Sequence, residues 1–69
     1  MPAGQLEQKR QALVRRLDQL RPGVKASRGY RSARILLGSK YTRASVAARL
    51  GLLQAAEFLI RVLELIPPV

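Results

Sequence analysis

The sequence predicts an all-α protein, and three observations lead there. Leu6, Leu13 and Leu20 recur seven residues apart, with Leu17 between the last two at helical spacing. Pro22-Gly23, Gly38 and Pro67-Pro68 punctuate the chain where helices should stop. From Ala44 to Ile66 the residues are mostly apolar, with polar ones returning on one strip of a helical wheel. The expected architecture is a helical hairpin or three helices: a short N-terminal one, a short basic one and a long apolar C-terminal one. All of it falls in a single small domain, residues 1–69, that dimerises as a helical bundle.

The first helix is expected from Gly4 to Arg21. Its leucines form a narrow seam, and Glu7, Gln11, Arg15 and Asp18 lie around the far side. A seam that narrow packs on one neighbouring surface, and its length is too short for a free-standing coiled coil.

A second helix is expected from Arg28 to Leu37, with Ser27 as its N-cap and Gly38 as its end. Tyr30, Ala33, Leu37 and Tyr41 would then share a face. The rival is one helix from Arg28 to Ile66 through Gly38 and Gly51, each costing about 1 kcal/mol relative to Ala. A break at Gly38-Ser39 is the preferred reading.

The last helix is expected from Thr42 to Ile66, ended by Pro67-Pro68. Arg43, Gln54, Glu57, Arg61 and Glu64 make its polar strip, and Glu57 and Arg61 stand in the favourable order for an i,i+4 pair. The rest of its circumference is apolar. One short helix cannot cover so wide an arc, and soluble monomers rarely leave such a patch exposed. A second copy is therefore expected against it in a two-fold dimer, with Leu52, Leu53, Leu59, Ile60 and Leu63 at the interface.

The charge is as uneven as the hydropathy. Thirteen Lys or Arg against four Asp or Glu give +9 in 69 residues. Residues 1–43 hold eleven of the basic residues and only Glu7 and Asp18 against them, so they carry the whole net charge. Within Arg21–Arg43 there are seven basic residues and no acid: Arg21, Lys25, Arg28, Arg31, Arg34, Lys40 and Arg43. A solubilising surface mixes signs, and this one does not. Five of the seven are Arg, which grips phosphate or carboxylate with two parallel donors. Tyr30 and Tyr41 lie among them, placed either to stack on a base or to pack between helices.

Several function classes drop out. Without His or Cys the chain lacks the usual zinc ligands and the usual neutral-pH general base. No pair of its four acids is placed for acid–base work, so no enzyme activity and no cofactor are expected. Gly29 and Gly38 sit in no phosphate-loop pattern. The start of the chain has no apolar signal-peptide core, and Arg49, Gln54, Glu57, Arg61 and Glu64 interrupt the apolar stretch too often for a membrane span. A membrane-surface role is also disfavoured, because the apolar and basic residues occupy different segments instead of opposite faces of one helix. "SVAARLGLLQAAEFLI" resembles the core spacing of a helix-turn-helix, with Ala47, Gly51 and Ile60 in register. Glu57 stands where that motif needs an inward apolar residue, and its reading helix would offer only Gln54 and Glu57.

What remains is a basic protein with an acidic partner. Nucleic acid, DNA ahead of RNA, held through its phosphates, is the leading expectation. An adaptor or inhibitor docking on an acidic protein is the alternative. The expected location is cytoplasmic or nucleoid-associated.

Overall fold

A computed structural model describes residues 3–67, and among these the only regular elements are five helices: α1 (Ala3–Asp18), α2 (Pro22–Lys25), α3 (Arg28–Leu37), α4 (Ser39–Arg43) and α5 (Val46–Glu64). The all-α expectation holds. α1, α3 and α5 pack on one another as a three-helix body, and the one-turn helices α2 and α4 join them.

The leucine seam of α1 faces inward as its spacing requires. Leu6, Leu13 and Leu17 are buried, and Leu20 is half-buried against them. The helix ends at Asp18, three residues short of the expected Arg21. Pro22 is the cause: it forces Arg21 into extended backbone (φ −64°, ψ 150°), then opens the single turn α2 at a position where its missing N–H costs nothing. That turn delivers Val24 to the core.

Ser27 caps α3 as expected, its Oγ accepting from the Tyr30 N–H at 3.2 Å. Ala33 and Leu37 are buried along one side of α3. Gly29 sits on the side that meets α5, where a Cβ would come within 3.1 Å of Leu63 Cδ2. The backbone leaves the helix at Gly38 (φ −108°, ψ −104°), and glycine suits the break because a Cβ there would lie 2.9 Å from the Arg34 carbonyl oxygen.

The break at Gly38 is therefore real, and the uninterrupted helix from Arg28 to Ile66 is not formed. The last helix also starts later than expected. Residues Ser39–Arg43 form the separate turn α4, Ala44 and Ser45 are extended, and Ser45 Oγ caps α5 by accepting from the Ala48 N–H at 3.2 Å. Arg49 fixes this corner: its Nε and Nη2 donate to the Tyr41 and Thr42 carbonyls at 2.9 and 3.2 Å, filling the open C-terminus of α4. Arg43 thus belongs to α4 and leaves the polar strip assigned to the last helix. α5 runs unbroken through Gly51, so the turn that a helix-turn-helix needs there is absent. It ends at Glu64, capped at Leu65, before Pro67; Pro68 lies outside the described residues.

The core joins Leu6, Leu13, Leu17, Val24, Ala33, Leu37 and Tyr41 to Leu53, Ala56, Ile60 and Leu63 of α5. The Cα envelope measures 40 × 18 × 15 Å. A helix with its side chains is about 10–12 Å across, so a body this thin covers α5 on one side only.

Candidate functional site

The thirteen cations divide by what they touch, and Arg15, exposed on α1, makes no ion pair or side-chain hydrogen bond among the described residues. All four acids are engaged, two of them along the α1–α5 seam. Glu57 takes Lys9 at 3.3 Å, Arg61 at 3.5 Å and Arg16 at 3.6 Å. Glu64 takes Arg16 at 2.7 Å, and Glu7 takes Arg10 at 2.6 Å. Asp18 accepts from Arg34 of α3. The hydrogen bond from Lys9 holds the Glu57 carboxyl below its ordinary range, and Arg16 does the same to Glu64 and Arg10 to Glu7. The Glu57–Arg61 pair read from spacing is present, but it is one bond of a cluster that ties residues 9 and 16 to residues 57 and 64.

Of the seven cations in the acid-free segment, two are occupied. Arg34 Nε donates to the Tyr30 hydroxyl at 2.8 Å while its Nη2 reaches Asp18, and these bonds raise its pKa further, the Tyr30 bond foremost. Arg21 Nη2 donates to the Ile66 carbonyl, tying α2 to the end of α5. The other five, Lys25, Arg28, Arg31, Lys40 and Arg43, make no ion pair or side-chain hydrogen bond among the described residues, and all but the half-buried Lys25 are exposed. Arg28 and Arg31 share the outward face of α3 with Ile35, which is 49% exposed. Lys40 and Arg43 stand three apart on α4. These side chains form a string of cations with no acid in the intervening sequence.

The tyrosines serve the fold. Tyr41 is buried, its ring flanked by the guanidinium groups of Arg49 at 4.8 Å and Arg10 at 5.7 Å. Tyr30 is half-buried and its hydroxyl accepts from Arg34. Of the two roles the sequence allowed, packing between helices is the one the structure contains, with Tyr41 enclosed and Tyr30 half-exposed.

The interface residues on α5 need correcting too. Leu53, Ile60 and Leu63 are 2%, 0% and 4% exposed within one chain, and Leu52 and Leu59 pack half-buried against the same core. Two helices, α1 and α3, cover this side of α5, where the sequence reading supposed that α1 alone would do so. The side left open is the opposite one: Ala47, Gly51, Ala55, Phe58, Val62 and Leu65, with Phe58 68% and Leu65 81% exposed. No helix among the described residues is long and apolar enough to cross a membrane. No protein-family model matches the chain, and no curated protein or solved structure matches it either.

Proposed function

We propose that this chain is a non-enzymatic, homodimeric nucleic-acid-binding protein that holds duplex DNA, in preference to RNA, through its phosphates. One observation carries the reading: the acids are spent within the fold, while Lys25, Arg28, Arg31, Lys40 and Arg43 project from a segment that has no acid. Phosphates along a duplex answer that arrangement, since each contact releases a condensed counterion and needs no particular base. No polar side chain on α5 is placed as a base-reading set, so the binding has affinity with little sequence preference. A location beside the nucleoid in the cytoplasm would follow from such binding.

The open apolar side of α5 favours a second reading, an adaptor that docks on an acidic protein with an apolar centre. A mobility shift with a duplex of about 30 base pairs at about 50 mM salt separates the two. Retention that single-stranded RNA competes away poorly is the expected result. Failure to retain the duplex at that salt, with capture of an acidic protein from nuclease-treated extract, would replace DNA binding by the adaptor.

A further inference from the structure

From the uncovered side of α5, we infer that two copies of the chain pair along this helix in antiparallel order, the large residues of one copy seating on the small residues of the other. The inference rests on the homodimer part of the reading above and fixes which face and which orientation make it.

The face is graded in size. Along its midline the first half presents Ala47, Gly51 and Ala55, and the second half Phe58, Val62 and Leu65, while Val46 and Leu50, 57% and 41% exposed, lie along one edge. Reversing the helix about a point between residues 56 and 57 brings Ala55 opposite Phe58 and Gly51 opposite Val62, and sets Ala47 opposite Ile66, one residue beyond Leu65. Each of the three pairs joins a small residue to a large one. In a parallel dimer Phe58 would meet Phe58 and Gly51 would face Gly51, leaving a bulge at one end and a gap at the other. A two-fold axis across the helix is thus the operation that fits the face to itself.

Charge agrees with that choice. Three charged residues of α5 are drawn away from the face, Arg49 to α4 carbonyls and Glu57 and Glu64 to α1, while Arg61, though paired with Glu57, stays exposed at its edge. Gln54 and Arg61 border the apolar residues, and the long Arg61 side chain can keep its head group in water at the rim when two faces meet. Gly51 meets nothing within 4 Å of where a Cβ would stand, so its smallness has no use inside the chain. Across an antiparallel contact it lets the backbones approach to about 8 Å. The face is about 27 Å long at 1.5 Å per residue. Two copies would cover on the order of 1,000 Å² in all, the lower bound for a specific interface. Each copy brings +9, so salt must tighten this association by screening, the reverse of its effect on DNA binding.

The absence of cysteine makes the orientation testable by cross-linking. Gly51→Cys and Val62→Cys are made in separate, full-length chains. Antiparallel pairing predicts a disulfide when the two variants are mixed and none when either is oxidised alone, because like positions lie about 16 Å apart along the axis. Sedimentation equilibrium should show a dimer that is at least tenfold weaker in Phe58→Lys, with helical circular dichroism unchanged, since Phe58 is 68% exposed in the single chain. Self-linked Gly51→Cys or Val62→Cys would mean a parallel dimer and overturn the inference. A dimer indifferent to Phe58→Lys and without the mixed disulfide would also overturn it, while leaving the homodimer standing. A wild-type monomer at all concentrations would overturn both. A monomer retained on vesicles of anionic phospholipid through Phe58 would assign the face to a lipid surface instead.

Discussion

The α1–α5 seam and the α2–α4 segment hold the same kind of side chain in opposite conditions. On the seam Lys9, Arg16 and Arg61 each reach a carboxylate, and their charge is cancelled in place. On the segment Arg28, Arg31, Lys40 and Arg43 reach no carboxylate among the described residues. The first group acts as fastening for a small core, and losing one member costs modestly because exposed pairs are individually weak. The second group works against the fold through mutual repulsion, which only an external anion relieves. The contrast teaches that net charge alone says little here, because the same residue types are paired in one region and unpaired in the other.

The two sides of α5 repeat the lesson for apolar residues. Ile60 and Phe58 stand two residues apart, one 0% and the other 68% exposed. Ile60→Lys should unfold the chain, because an ammonium in that core has no partner and a domain of this size has only about 3–5 kcal/mol to lose. Loss of the cooperative thermal transition by circular dichroism is the readout. A folded Ile60→Lys variant would mean that this side of α5 is not the inside.

Glycines sharpen the same comparison at smaller magnitude. Gly38→Ala should cost about 1–3 kcal/mol, because the new methyl meets the backbone oxygen of Arg34 and not a side chain that could turn aside. Gly51→Ala should stabilise the isolated chain by about 1 kcal/mol, since the position is open and mid-helical. Urea melts at low protein concentration measure both; equal effects of one sign would undo the distinction between the inner and outer sides.

Acid titration tests the seam. Glu7, Glu57 and Glu64 have folded pKa values below the ordinary 4.5, so their contribution is complete above that value and is lost as pH falls through the lower folded values. The melting temperature should be flat from about pH 8 to 6 and decline by several degrees below about pH 4.5. A melting temperature that holds or rises toward pH 3 would show that these pairs add nothing.

How far the sequence disclosed all this depends on how local the cause was. The leucine seam, the Ser27 cap, the break at Gly38 and the Glu57–Arg61 pair are set by residues within a few positions of one another, and each could be read directly. The inward side of α5 could not. A helix apolar around most of its circumference has no polar face to mark the outside, so the choice of Leu53, Ile60 and Leu63 for a partner had no local signal against it. The ties of Lys9 to Glu57 and of Arg16 to Glu64 span 48 residues and appear only once α1 lies beside α5. Arg49 and Tyr41 were hidden for the same reason: one caps a helix that the sequence reading merged with the next, and the other is enclosed by cations that lie far apart in the chain.

The central claim is that the leftover cations meet phosphate, and the salt dependence of duplex binding tests it most directly. Five contacts predict a log–log slope of about −4.5 for each chain engaged, a loss of several hundredfold per chain between about 50 and 200 mM salt. Replacing Arg28, Arg31, Lys40 and Arg43 together by Ala should flatten the slope by about 3.6 per chain, with the melting temperature unchanged or raised. The matched substitution of Lys9 and Arg61 on the seam should leave the slope nearly as it was. Equal slopes for the wild-type chain and the fourfold variant would contradict the account.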